Sequence, residues 1–138
     1  MLSFFRQPSG CAVALALLVA LSGCDTTTGP EPPPPPVATV SFSADIQPLF
    51  ASRCAPCHAG NRETSGVNLA SHANTLASIG TQYGEATVRP GDADGSSLID
   101  KIEADPQFGS RMPQGQAPLS DAEIAQVRAW IDAGAPDN

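Results

Sequence analysis

Cys54-Ala55-Pro56-Cys57-His58 is a C-x-x-C-H stretch, two thiols at a short fixed spacing with an imidazole directly behind them. This is the pattern of c-type haem attachment. Two thiols at that separation can add to the two vinyl groups along one porphyrin edge. The next residue then lies beneath the ring, where its imidazole can ligate iron. Three other readings compete. A thioredoxin-like redox pair sits in a βαβ context, which the flanking sequence does not pattern. A zinc site needs a second Cys or His pair, and His72 is the only other histidine. The third is a short Cys54–Cys57 disulfide followed by a chance histidine.

Upstream of the motif, the chain reads as an address and a tether. Cys11 to Leu21 is almost wholly apolar and follows a segment whose one charge is Arg6. The run is short for a membrane span, which takes about 20 apolar residues, but fits a secretory h-region of ~7–15 residues. Leu21-Ser22-Gly23-Cys24 follows at once and resembles the bacterial lipobox. On that resemblance residues 1–23 are a lipoprotein signal peptide and Cys24 is the lipidated first residue of the mature chain. The competing reading is ordinary cleavage near Gly23, which leaves Cys24 as a stray thiol. Acyl chains hold a membrane at ~0.8 kcal/mol per buried methylene, so a multiply acylated Cys24 is a stable anchor. Residues 24–40 form a linker containing Pro32 to Pro36. Polyproline II extends ~3.1 Å per residue, so five prolines span about 16 Å of semi-rigid stalk.

Charge restricts the partners. The 138-residue chain has 14 acidic against 7 basic side chains. Loss of residues 1–23 removes only Arg6, leaving 14 acids, 6 bases and a formal charge of −8. Phosphate binding needs clustered Lys and Arg, so a nucleic-acid partner is not expected. An acidic surface favours encounters with basic proteins.

Residues 41–138 are the expected folded domain, small, all-α and rich in long loops. A first helix is predicted over Asp45 to Arg53, capped by Asp45, with Pro48 in the first turn. Ile46, Leu49 and Phe50 give it an apolar face. Gly60 to Leu69 reads as a polar loop. Ser71 to Ile79 reads as a short helix stopped by Gly80, and Thr81 to Asp94 as irregular chain. Ser96 to Ala104 forms another helix, with Leu98, Ile99 and Ile102 inward. The last helix opens on the capping box Ser120-Asp121-Ala122-Glu123 and carries Ile124, Val127 and Ile131 at spacings of three and four, with Trp130 beside them. Gly134 and Pro136 end it. No alternating strand pattern is present. Only five aromatics remain in the mature chain, Phe42, Phe50, Tyr83, Phe108 and Trp130, so the polypeptide core is thin. A large apolar cofactor would fill it.

Haem held by His and Met is the arrangement of electron-transfer cytochromes. The mature chain has one methionine, Met112, in the polar stretch Gly109-Ser110-Arg111-Met112-Pro113. No core is nearby in sequence for it to fill, and Pro113 restricts its backbone to extended conformations. Met112 is therefore the expected distal ligand. His72, the competitor, is placed on the solvent side of a short polar helix.

These residues together resemble class I-like bacterial cytochromes c, in particular the small planctomycete-type domains. The resemblance is carried by Phe42-Ser43-Ala44-Asp45-Ile46-Gln47-Pro48-Leu49-Phe50, the C-x-x-C-H motif, Val67-Asn68-Leu69, Pro90-Gly91-Asp92 and Ser97-Leu98-Ile99. It continues through Met112-Pro113, Leu119-Ser120 and Ile124 to Trp130-Ile131-Asp132-Ala133-Gly134. It implies a helical fold wrapped around one covalent haem c, thioethers at Cys54 and Cys57, His58 as proximal and Met112 as distal iron ligand, and the first helix packed on the last through Phe50 and Trp130. Many relatives carry a Gly-Pro about a dozen residues after the motif, whose carbonyl orients the proximal histidine. Ala70-Ser71 stands there in this chain, and Pro90 is the substitute considered. Arg62, Arg89 and Arg111 are candidates for pairing with haem propionates, each weighed against a solvated loop arginine.

The function expected is single-electron transfer by a monohaem c-type cytochrome. It is expected to be a monomer and not an enzyme, lipid-anchored on the periplasmic or cell-surface side and docking transiently with redox proteins. Two alternatives stand beside it: a haem-based sensor or peroxidase-like module in which Met112 is displaceable, and a haem-free structural lipoprotein with a Cys54–Cys57 disulfide.

Overall fold

The computed structural model describes residues 39–60 and 62–138. The expected signal segment, Cys24 and the proline run lie outside the described residues. Five α-helices carry the domain: α1 (Gln47–Arg53), α2 (Ala55–His58), α3 (His72–Ala77), α4 (Ser97–Ile102) and α5 (Asp121–Asp132). Three two-residue strands accompany them: β1 (Arg62–Glu63), β2 (Ile79–Gly80) and β3 (Glu85–Ala86). Among the described residues no helix is long and apolar enough to cross a membrane.

The first helical segment begins earlier than its sequence pattern indicates. A π-helical turn over Phe42–Ile46 runs directly into α1. Its cap is Ser41, not Asp45. The Ser41 hydroxyl accepts the Ala44 N–H at 3.3 Å, and the Asp45 carboxylate accepts the Ser41 N–H at 2.8 Å. Asp45 thus works from within the first turn, back toward the cap. Wide i→i+5 bonding, with the Gln47 N–H donating to the Phe42 carbonyl, carries the chain helically into Pro48, which has no N–H to give.

Helix α5 follows its sequence signals closely. The Ser120 hydroxyl accepts the Glu123 N–H at 3.3 Å and the Glu123 carboxylate accepts the Ser120 N–H at 2.7 Å, a complete capping box. At the other end Gly134 adopts φ +96°. The Ala135 N–H donates to the Trp130 carbonyl and the Gly134 N–H to the Ile131 carbonyl, both at 2.9 Å. These two bonds make a Schellman ending, which glycine permits because it has no Cβ to clash at positive φ.

The core forms where α5 meets the π turn and α1. Trp130 is fully buried. Its ring centroid lies 5.5 Å from that of Phe42 and 6.3 Å from that of Phe50, the latter edge-to-face, and its indole N–H donates to the Pro136 carbonyl at 3.0 Å. The first and last helices therefore pack through Phe50 and Trp130 as the resemblance implied, with Phe42 added. Leu98, Ile99 and Ile102 are buried on the inner face of α4. Arg128 of α5 ties that region down, bonding Glu103 at 2.7 Å and Asp94 at 2.6 Å.

Three expectations need correction. The fold is mostly helical but not purely so, because β2 and β3 pair antiparallel, Ile79 opposite Ala86 and Gly80 opposite Glu85. Two-residue strands are too short to show a period of two. Helix α3 is capped by the Ser71 hydroxyl and ends at Ala77; Gly80 belongs to β2 and does not stop it. His72 is not solvated. It is half-buried, its Nε2–H donates to the Ala135 carbonyl at 2.7 Å, and its ring packs edge-on against Phe42 at 5.0 Å. The C-terminal segment, distant in sequence, supplies that environment.

Candidate functional site

The C-x-x-C-H motif forms its own short helix. The chain turns at Cys54, whose carbonyl accepts the His58 N–H at 2.9 Å, and Pro56 occupies the first turn of α2, where its missing donor costs nothing. Cys54 is half-buried, Cys57 is exposed, and both are free thiols. Burial pushes the Cys54 thiol up to about 11, against the opposing charge of Arg53. Cys54 is therefore a neutral thiol at pH 7.

After His58 the chain doubles back. Ala59 bridges Arg62 and His58 bridges Glu63, the Thr64 hydroxyl donates to the Cys57 carbonyl at 2.8 Å, and the Leu69 N–H donates to the His58 carbonyl at 2.6 Å. This fold-back brings the Val67 carbonyl 3.4 Å from His58 Nδ1. The bond is long. It nevertheless assigns the proton to Nδ1 and leaves Nε2 with its lone pair available to a metal. The orienting carbonyl is thus that of Val67 and not Pro90. Val67 is held in turn by its neighbour, since the Asn68 N–H donates to the Ser78 hydroxyl at 2.8 Å.

An apolar cleft of about 600 Å³, mouth included, opens beside the motif, and Cys54, His58 and Met112 all line it. Val67, Leu69, Leu98 and Ile102 supply apolar wall, and the β2–β3 turn contributes Thr81, Gln82 and Tyr83 at the rim. An adjoining cavity is lined by both cysteines together with His58 and Met112. His72 lines neither of them.

Met112 comes from a loop fastened to the end of α4. Its N–H donates to the Lys101 carbonyl at 2.7 Å. The Lys101 ammonium donates to the carbonyls of Phe108 and Ser110, each at 2.7 Å. Beyond Met112, the Arg53 guanidinium reaches across to the carbonyls of Ala117 and Pro118 at 2.6 and 3.2 Å. The Met112–Pro113 peptide is cis. Tyr83 donates its hydroxyl to Asp100 and packs edge-on against Phe108. Burial, then the Asp100 carboxylate, pushes its phenol up to about 12.

The three arginines considered for propionate pairing have other partners. Arg62 donates to the Pro56 carbonyl, Arg89 pairs with Glu85, and Arg111 donates to the Ile102 carbonyl. None of the three lines the cleft. Among the described residues, no group of three or more His, Cys, Asp or Glu side chains is placed to hold a metal ion.

One thiol, an imidazole and a thioether sulfur line the apolar cleft and the second thiol lines the adjoining cavity; these are the donor types of a c-type cytochrome. Residues 54–114 match the family model described as planctomycete cytochrome C, a segment that runs from the first cysteine of the motif past Met112. Over those residues the chain is similar to the planctomycete-type cytochrome c domain. No curated protein and no solved structure matches it.

Proposed function

We propose that this domain holds one covalent haem c and transfers single electrons. The observation that carries the reading is that Cys54, His58 and Met112, separated by up to 58 residues in sequence, line one apolar cleft. In this reading the thiols of Cys54 and Cys57 add across the porphyrin vinyl double bonds. Each forms one S–C bond, and the thiol hydrogen passes to the neighbouring carbon. His58 ligates through Nε2, with Nδ1–H given to the Val67 carbonyl. Met112 ligates through sulfur from a loop anchored on α4. When bound, the haem supplies one-electron chemistry by cycling between ferric and ferrous iron. The chain's own residues would hold the iron through His58 and Met112, exclude water and present an acidic surface to a basic redox partner. Acylation at Cys24 holds the monomeric domain on the periplasmic or cell-surface side of a membrane, with the proline run as its stalk.

The absorption spectrum of the purified exported protein tests this. The expected result is a Soret band that survives denaturation, as a covalent haem requires, and a weak ferric sulfur-to-iron charge-transfer band. Met112→Ala is expected to abolish that weak band while keeping the Soret band. Absence of a Soret band refutes the haem, and persistence of the sulfur band in Met112→Ala refutes the distal assignment.

A further inference from the structure

The cleft has a polar end that the haem-attachment residues leave unexplained. Thr87 is only 3 % exposed, yet its hydroxyl has no hydrogen-bond partner among the described residues. Both of its backbone groups are satisfied, the N–H by the Ser78 carbonyl at 2.9 Å and the carbonyl by the Leu98 N–H at 3.0 Å. The side chain alone is unmatched. A buried hydroxyl without a partner forfeits its hydration for nothing in return, and such groups in native proteins mark an unfilled acceptor or donor.

The Ser97 hydroxyl borders the same glycine as Thr87, Gly80. A Cβ built on Gly80 would stand 3.9 Å from both Thr87 Oγ1 and Ser97 Oγ, so both hydroxyls border the space beside a residue with no side chain. Ser97 is buried as well, and Thr87, Ser97 and Gly80 all line the cleft. The adjoining cavity, which both cysteines line, does not include them. Cys57 lines only the adjoining cavity, the hydroxyls line only the cleft, and Cys54, His58 and Met112 line both.

A porphyrin fixed by its vinyl edge at Cys54 and Cys57 directs its opposite edge away from them, and that edge carries its only charged groups, two propionate carboxylates. We propose that Thr87 Oγ1 and Ser97 Oγ form a buried hydroxyl pair that donates to one haem propionate. This rests on the haem reading above. Two neutral donors would hold the carboxylate without a cation, replacing the arginines first considered for the role. The bare Cα of Gly80 leaves the room that the carboxylate needs.

The test compares the haem-loaded protein with its Thr87→Val, Thr87→Ser and Ser97→Ala variants by resonance Raman spectroscopy and redox titration. Valine keeps the shape of threonine and deletes the donor; serine restores the donor. The expected result is a shifted propionate bending mode in Thr87→Val. Its midpoint potential should also be lower, because an unscreened carboxylate favours ferric iron. The sulfur–iron band is unchanged, Thr87→Ser retains the wild-type mode, and Ser97→Ala shifts it in the same direction. If Thr87→Val leaves both mode and potential at wild-type values, Thr87 serves a buried water or nothing, and the subsite is refuted. A missing Soret band in the parent protein instead refutes the haem reading, so the two failures are distinguishable.

Discussion

Gly66→Ala tests the path by which His58 is oriented. Gly66 adopts φ +77°, and a Cβ there would stand 2.5 Å from the Ile79 carbonyl oxygen and 3.2 Å from Thr81 Cγ2. The first contact is with backbone, so it cannot be relieved by a rotamer change. Gly84 in the β2–β3 turn is the control, with a similar φ of +69° and nothing within 4 Å of the place a methyl group would take. Alanine at either site costs roughly 1–2 kcal/mol for the left-handed conformation, offset by about 0.4–1 kcal/mol through a less flexible unfolded chain. Gly84→Ala should therefore cost about 1 kcal/mol. Gly66→Ala adds an overpacking cost of about 1–3 kcal/mol against the strand, for a total near ~3 kcal/mol. Denaturant unfolding followed by circular dichroism measures both. The strain at Gly66 is also adjacent to Val67, whose carbonyl faces His58 Nδ1 at 3.4 Å. Gly66→Ala should accordingly alter the haem spectrum and Gly84→Ala should not. Equal stability losses within about 0.5 kcal/mol, with identical spectra, would refute the claim that packing of Gly66 on β2 positions the Val67 carbonyl.

Two further outcomes follow from the packing. Trp130→Ala should cost about 3–5 kcal/mol, because it empties a fully buried site between Phe42 and Phe50 and strands the Pro136 carbonyl; a loss below about 1.5 kcal/mol in the same unfolding assay would place the core elsewhere. Ser120→Ala should cost about 1 kcal/mol at pH 7, and the loss should shrink in acid. The Ser120 amide and then its hydroxyl hold the Glu123 carboxyl below its ordinary value of 4.5. That contribution is complete above the unfolded value and disappears as pH falls through the folded one. A gap between wild type and Ser120→Ala that stays constant from pH 7 to about 3 would refute the coupling.

What the sequence made legible was local. The capping box of α5, its glycine ending and the C-x-x-C-H turn each depend on residues within one helical turn, and each is found where the pattern put it. The inward face of α4 was legible for the same reason. The contacts that escaped were those made by backbone atoms or by distant segments. The acceptor for His58 is a carbonyl, which any residue could supply, so no residue type marked Val67. His72 was placed in solvent because its own helix is short and polar, whereas the Phe42 ring and the Ala135 carbonyl come from opposite ends of the domain. Thr87 and Ser97 belong to no periodic face, and only the β2–β3 pairing, together with the Leu98 N–H bonded to Thr87, brings them to the cleft. A threonine flanked by apolar residues ahead of Arg89-Pro90-Gly91 was the one available signal, and it is a weak one.

The distance between His58 and Met112 is set by a chain of contacts that runs around the domain. His58 ends α2, which continues from α1 through Cys54. The segment from Phe42 through α1 is locked to α5 by the Phe42, Phe50 and Trp130 rings. Helix α5 is bonded to the end of α4 by Arg128 through Glu103, and α4 holds Met112 by the Lys101 carbonyl. Every link is buried packing or a hydrogen bond between regular elements, apart from the last loop. That loop has its own two fasteners, the Lys101 ammonium and the Arg53 guanidinium. Arg53 immediately precedes Cys54, so the circuit closes on the attachment motif itself. A thin polypeptide core can hold the His58 imidazole and the Met112 sulfur in place because each is tied to the same helical frame, and in the proposed reading a cofactor between them would add its apolar surface to that frame.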